Sequence, residues 1–534
     1  METRFKPLNR EQQFLLPPSM RAWLPPGDRA YFLIVLGEEL DLAEMSRHSQ
    51  VREPDGQITP KANSGQPPFH PQMMTTLLLY AYGLGTPSSR RIARLCERDA
   101  GYRVVSAAQQ PDVRTLSEFR RLHLAALQRL FVPVLQIADP AGLVKLGQVA
   151  LDGTKSKANA STHQAMSYAR RGEKQQHSAA PVQTLLAQAE VIDAQEDQPH
   201  GRHRRGDELP QELQCAQQRL AKIRAAKAVL EQQARAAAPA AGQLPAAAAP
   251  QPPTRGRPRT VAAGPPPAKH HDNFTDPESR IMQMGEGAVD QADNCQAAVD
   301  SHAQIIVAAA ATAAPNDNQQ VRPMTEQRQQ NLGAVPRQLS ADVGYYSEAN
   351  VLWRRAQGID DYLCPDRLPH GQSPPAARGR ISKELPLIDR VRRKLRTRVG
   401  RAIYGLRQHL PEPVFGRMKR GRGLRQLLVR GRDTVNGEWL LWCTAHNLLK
   451  LWNAAATERW RACPVVSGVP LSPAAPASPT SLTAQHEYRD RLLARLIHEA
   501  CRATAPVANP DDGKRGACPT IAIDSPLAKC SVHE

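Results

Sequence analysis

The chain has 534 residues, too many for one core, since single hydrophobic cores stop growing near ~250–300 residues. Its 70 Lys and Arg against 51 Asp and Glu leave a formal charge of +19, which points to a polyanionic partner, nucleic acid or an anionic membrane face. A membrane span is excluded, because the longest apolar run, IIVAAAATAA at 305–314, falls short of the roughly 18–20 residues a bilayer requires. The opening METRFKPLNREQQ has no apolar signal core. Nine scattered cysteines (96, 215, 295, 364, 443, 463, 501, 518, 530) form no CxxC pair, so neither a zinc ribbon nor a disulfide framework is expected. Reduced thiols in a cytoplasmic, nucleoid-associated protein fit this pattern.

In chain order, the apolar stretch around 30–42 predicts a short helix or strand, and HPQMMTTLLLYAYGLG (70–85) predicts a buried helix. Thr86-Pro87 reads as an N-cap with proline at the first helical position, opening a helix over SSRRIARLCERD. The run Thr115-Leu-Ser-Glu118 reads as a capping box opening the next one. Arg90, Arg91, Arg120 and Arg121 then fall on first turns. That suggests a helix-turn-helix-like DNA-binding module within an all-α N-terminal region over 1–140. A plain helical bundle with solvated arginines is the other reading of the same residues.

Residues 144–154 predict a buried strand that ends at Asp152, with Gly153-Thr154 turning the chain. The segment 161–285 reads as an insertion. Its first part, 183–235, predicts a helical hairpin on which Leu213, Ala216, Leu220, Ile223 and Leu230 have heptad-like spacing. Its second part, 236–270, is a Pro/Ala-rich linker with almost nothing to bury. Two strands joined near Ser301-His302 follow (293–313), then a helix over NDNQQVRPMTEQRQQ, then strand, turn and helix over 337–358, then the strand IDDYLC. The order is α/β. The most basic window, 378–432, holds 18 Lys or Arg against 3 acids, a balance of +15. Residues 454–534 read as a low-complexity tail with one helical piece, HEYRDRLLARLIHEACRA.

Three acids sit in telling places. Asp152 ends the first strand, Asp342 ends a later one in SADVGYY, and Glu412 is one of the three acids of the basic window. Two Asp and one Glu can gather around a pair of divalent ions about 3.5–4 Å apart, with cations nearby to hold a nucleic-acid backbone. Mg²⁺ prefers carboxylate and water oxygens and leaves positions open for phosphate. Glu412 and Lys419 are seven residues apart, which on a regular helix places them on one face.

The runs VALDGTKSKANAS, FTDPESRIM, NCQAAVD, SADVGYYSEAN, IYGLRQHLPEPVFGRMKRGRGLRQLLVRG and GEWLLWCTAHNLLKL carry a resemblance to bacterial insertion-sequence transposases of the DDE type. FHPQMMTTLLLYAYGLGTPSSRRIARLCERD and PDVRTLSEFRRLH resemble the same group's helical N-terminal part, and the likeness covers about residues 5–453. It implies an RNase H-like mixed sheet with flanking helices over 141–160 and 286–453, with the first Asp on the first strand and the second on the fourth. It implies that Asp152, Asp342 and Glu412 are catalytic and hold two Mg²⁺ ions, with Mn²⁺ able to substitute. It further implies that Tyr404, Arg407 and Lys419 flank Glu412 as DNA-contacting groups. The expected activity is metal-dependent cutting of element ends and their joining to target DNA. The partners expected with it are double-stranded DNA, as terminal repeats and target, and a second copy of the chain in a homodimer or larger synaptic complex. An end-binding repressor without catalysis and a general nuclease of the same fold are the alternatives. Pro411 and Pro413 flank Glu412, remove two backbone donors and predict a kinked helix there. Asp293 stands where many relatives carry Tyr.

Overall fold

A computed structural model describes residues 19–25, 27–47, 50–52, 58–60, 68–162, 165–167, 271–284, 287–366, 375–382 and 384–456, with scattered positions between 170 and 232. The N-terminal part is mostly helical: α1 (Arg29–Glu39), α2 (Pro71–Gly83), α3 (Ser89–Arg98), α4 (Ala100–Val105), α5 (Val113–Arg129) and α6 (Phe131–Ala138), with one short antiparallel pair, Gln50–Arg52 with Ile58–Pro60, that departs from the all-α reading. Helix α2 is buried from Met74 to Gly83, as its unbroken apolar run requires.

Two helix starts differ from the sequence reading. Helix α3 begins at Ser89, and Ser88 is its cap residue. Thr86 is buried and Pro87 lies outside the helix. Helix α5 begins one turn before the expected box, because Asp112 caps it by accepting from the Thr115 N–H at 2.6 Å. Glu118 pairs instead with Arg121 at 3.7 Å on the exposed face.

The central sheet contains β1 (Gln148–Lys157), β2 (Arg280–Gln283), β3 (Val289–Asp300), β4 (Ile306–Thr312), β5 (Gln338–Ala341) and β6 (Asp360–Leu363). Helix α7 (Val321–Leu332) links β4 to β5, and α8 (Glu348–Ala356) links β5 to β6. The strand order is β6-β5-β1-β3, with β2 and β4 sharing the far edge of β3. Pairing is antiparallel between β1 and β3 and parallel from β1 through β5 to β6. This is the mixed, RNase H-like sheet expected. One boundary moves: β2 lies within the segment read as insertion, yet it pairs with β3 and belongs to the sheet. The insertion leaves through a two-stranded stem in which Ala165–Ser167 pairs with His271–Asn273. The heptad positions from Leu213 to Leu230, the Pro/Ala-rich linker and the chain beyond 456 lie outside the described residues.

The C-terminal part holds α9 (Leu387–Arg396), α10 (Arg398–Leu406), α11 (Pro411–Gly416) and the 25-residue α12 (Arg432–Ala456). Helix α12 buries Trp439, Trp442 and Cys443 and packs on β4 and on the N-terminal helices, so one continuous core joins both parts. The outer edge of β4 is closed by side-chain amides. Asn447 bonds the N–H and carbonyl of Ile306 at 2.9 Å each, and Gln327 bonds those of Ala309 at 3.1 and 3.0 Å. Asn436 accepts from the Ala311 N–H at 2.9 Å. An alanine-rich edge strand is thereby shielded from pairing with another chain. Among the described residues, no helix is long and apolar enough to cross a membrane.

Candidate active site

Asp152 does not end its strand. β1 continues to Lys157, and Gly153 pairs with Gln296 in regular register. The glycine is there for closeness, since a Cβ on it would lie 2.4 Å from Gln296 Nε2. The parallel register pairs Leu151 with Ala341, so Asp152 and Asp342 are the next residues outward on neighbouring strands. Asp342 caps the short turn Val343–Tyr345, accepting from the Gly344 N–H at 2.8 Å.

Asp152 is largely buried. Burial pushes its carboxyl up to about 7; Arg407 and the Gly153 N–H pull it down, while Asp342 and Glu412 push it further up. Its Oδ1 accepts from the Gly153 N–H at 2.8 Å, and its Oδ2 lies 3.9 Å from Arg407 Nη1. The Arg407 guanidinium sits 5.6 Å from the Tyr404 ring centre, and its Nε is buried without a hydrogen bond. Burial, and then the neighbouring Cys364, raise the Tyr404 hydroxyl above its ordinary range.

Glu412 is exposed on the first turn of α11. Its two prolines do not kink the helix; they start it. Pro411 holds the first helical position and Pro413 the third, where the N–H has no intrahelical partner to lose. After α11 the chain widens into a π-helical turn, Arg417–Gly421, so the regular two-turn spacing between Glu412 and Lys419 is broken. Lys419 turns inward and donates to the Lys155 carbonyl of β1, and burial lowers its pKa. It supports the strand that carries Asp152 rather than facing solvent.

The structure thus brings Asp152, Asp342, Glu412, Arg407 and Tyr404 to one end of the sheet. The donor set is entirely carboxylate oxygen, which fits a hard divalent cation. The acids are splayed: among the described residues no three acidic, His or Cys side chains stand close enough to hold a metal as they are.

The four N-terminal arginines separate. Arg90, Arg91 and Arg121 are exposed. Arg120 is not, and its reading as a DNA contact is corrected. It is 7% exposed and donates through Nη1 to the Pro87 carbonyl at 2.7 Å and to the Tyr82 hydroxyl at 3.2 Å. The Tyr82 hydroxyl donates in turn to Glu438 of α12 at 3.0 Å. In the basic window, Arg392 forks onto Asp366 at 2.7 and 2.8 Å, and Lys394 pairs with Asp360 at 2.6 Å, so part of that charge is neutralised beside β6.

Sequence reasoning missed a polar group behind the acids. Asn294 and Gln296 of β3 donate to Asp317 Oδ1 at 2.6 and 2.7 Å, and the Tyr345 hydroxyl donates to Gln296 Oε1. The alternation of Asn294 and Gln296 with Cys295 and Ala297 along a buried strand was the available signal. Asp317 falls in NDNQQVRPMTEQRQQ, which reads as a helix, so no sequence signal marks it.

Two protein families match the chain. The family described as "Transposase DDE domain" matches residues 364–452, which contain Tyr404, Arg407, Glu412 and Lys419. The family described as "Transposase domain (DUF772)" matches residues 19–122, which contain α1 to α4 and the start of α5. Asp152 and Asp342 lie outside both matched stretches. No curated protein and no solved structure matches the chain.

Proposed function

Because the chain belongs with the DDE-type insertion-sequence transposases, we propose that it cuts its element's ends and joins them to target DNA at Asp152, Asp342 and Glu412. The observation that carries this reading is the register of β1 and β5. It sets Asp152 and Asp342 side by side, with Glu412 close enough to raise the Asp152 carboxyl. Negative charge crowded in a partly dry place favours a divalent cation as its counter-charge. Two bound Mg²⁺ or Mn²⁺ ions would supply an activated oxygen nucleophile and charge stabilisation for in-line displacement at phosphorus.

Each residue then has a part of its own. Asp152 holds from β1 in the sheet and Asp342 from the capped turn that follows β5. Glu412, exposed on the first turn of α11, swings in from the side. Arg407, beside both Asp152 and Tyr404, offers a guanidinium to a phosphate oxygen when DNA enters. Arg90 and Arg91, on the first turn of α3, and exposed Arg121 hold the backbone of the DNA. Joining both ends of an element requires them to be held together, so the working form is a homodimer or larger.

Labelled duplex carrying the element's own ends, incubated with purified protein and Mg²⁺, tests this reading. Nicking at the ends, absent in Asp152→Ala and Glu412→Gln, is the expected result. Cleavage that survives Asp152→Ala would remove the acid assignment, and equal degradation of unrelated duplex would make the protein a general nuclease.

A further inference from the structure

We infer that Asp317 is a positioning residue that locks the segments carrying Asp152 and Asp342 to one another. Its catalytic consequence rests on the function proposed above. Asp317 lies between β4 and α7, outside both segments. Gln296 stands opposite Gly153 in the β1–β3 register, so Gln296 and Asn294 project from the face of the sheet opposite the Asp152 side chain. From there both amides donate to Asp317 Oδ1.

The carboxylate fills room left by two glycines, each just after one of the acids. A Cβ on Gly153 would lie 3.1 Å from Asp317 Oδ1, and a Cβ on Gly344 would lie 3.3 Å from Asp317 Oδ2. One side chain therefore lies close to Gly153 of β1 through one oxygen and to Gly344 of the Asp342 turn through the other. Three further bonds close the ring. The Tyr345 hydroxyl donates to Gln296 Oε1, and Asn350 of α8 donates to the carbonyls of Asn318 and Tyr345 at 2.7 and 3.0 Å. Polar groups tied together in this way are rigid. Two acids that must share ions tolerate little relative movement, and residues supporting ligands commonly change metal affinity by about 10–100-fold when lost.

Asp317→Ala, Asp317→Asn and Asn294→Ala, each in the full chain, test the inference by two readouts. Backbone hydrogen exchange over 148–157 and 338–346 reports the locking directly and does not depend on the proposed function. Titration with Mn²⁺ alone, followed by paramagnetic resonance, reports its effect on the acids. We expect Asp317→Ala to speed exchange in both segments by at least ~tenfold over the other strands, and to weaken Mn²⁺ binding by roughly 10–100-fold. Asp317→Asn, which keeps an oxygen for the two amides, restores both. Asn294→Ala, which removes one donor and leaves the carboxylate, gives smaller changes at the same two segments even if Asp317→Ala folds poorly. Unchanged exchange at either segment in Asp317→Ala or Asn294→Ala overturns the inference. So does an Asp317→Asn as defective as Asp317→Ala, which would make the charge itself the requirement. If exchange responds as expected while the wild type binds no Mn²⁺, the locking stands and the metal reading of the acids falls.

Discussion

Two arginines of this chain meet carboxylates in very different ways. Arg120 and Glu438 share the Tyr82 hydroxyl, and the remaining Glu438 oxygen accepts the N–H groups of Leu428 and Val429 at 2.7 and 3.2 Å. Glu438 is wholly buried. Arg407 and Asp152 stand 3.9 Å apart at the rim, with Arg407 Nε unbonded and two more acids pressing on Asp152. The first set is closed and joins α2, α5 and α12 into one body. The second is open and crowded with like charge, the arrangement on which the proposed metal-holding role of its acids rests. Completeness of hydrogen bonding, not the presence of an arginine and an acid, separates a structural ion group from a functional one.

The largest expected effect breaks the open set. Asp152→Ala lowers end cleavage by at least ~10²–10³-fold, in the range for losing one group that stabilises transition-state charge, while the urea midpoint stays near wild type. Breaking the closed set does the reverse. Glu438→Ala leaves Arg120 buried without its carboxylate and is expected to cost about 3–5 kcal/mol in urea unfolding. A stability unchanged in that variant would show the group to be idle.

Asp293 sharpens the comparison, since it is buried with a carboxylate oxygen left unbonded. Its Oδ2 has no hydrogen bond, and burial, then Asp276 and Glu278, push its carboxyl up to about 7. The folded value lies above the unfolded ~3.9, so the native state binds the extra proton. Its contribution therefore favours folding at low pH and is lost as pH rises from about 4 through about 7. Asp293→Asn should gain on wild type by roughly 2–3 kcal/mol between about pH 5 and about pH 8. Equal pH profiles in thermal melts would contradict that. The smallest effect belongs to Arg121, whose side chain is 69% exposed beside Glu118. Arg121→Ala is expected to move stability by less than about 0.5 kcal/mol and to weaken DNA binding, which a salt titration of affinity reads.

Much of the sheet was legible because β1 and β4 carry apolar runs and turn signals separate the strands, whereas β2 fell inside the segment read as insertion. Helix starts were less legible. Asp112 displaced the Thr115–Glu118 box because a cap one turn upstream already serves the Thr115 N–H. Gly153-Thr154 predicts a turn because local sequence does not reveal Gln296 on the neighbouring strand. Arg120 looked like its neighbour Arg121, and only the fold shows which side of α5 meets Tyr82 and Glu438. Asp317 could not be found at all from its loop, since its partners lie more than twenty residues away and its neighbours are a glycine of β1 and a glycine of the turn after β5.

That Asp152, Asp342 and Glu412 act as one site is tested most directly by Mn²⁺ titration of the wild type and of Asp152→Asn, Asp342→Asn and Glu412→Gln, each checked for an unchanged urea midpoint. Binding by the wild type that is lost in all three folded variants is the predicted result. A wild type that binds no Mn²⁺, or any one variant that binds it as well as the wild type, would contradict it.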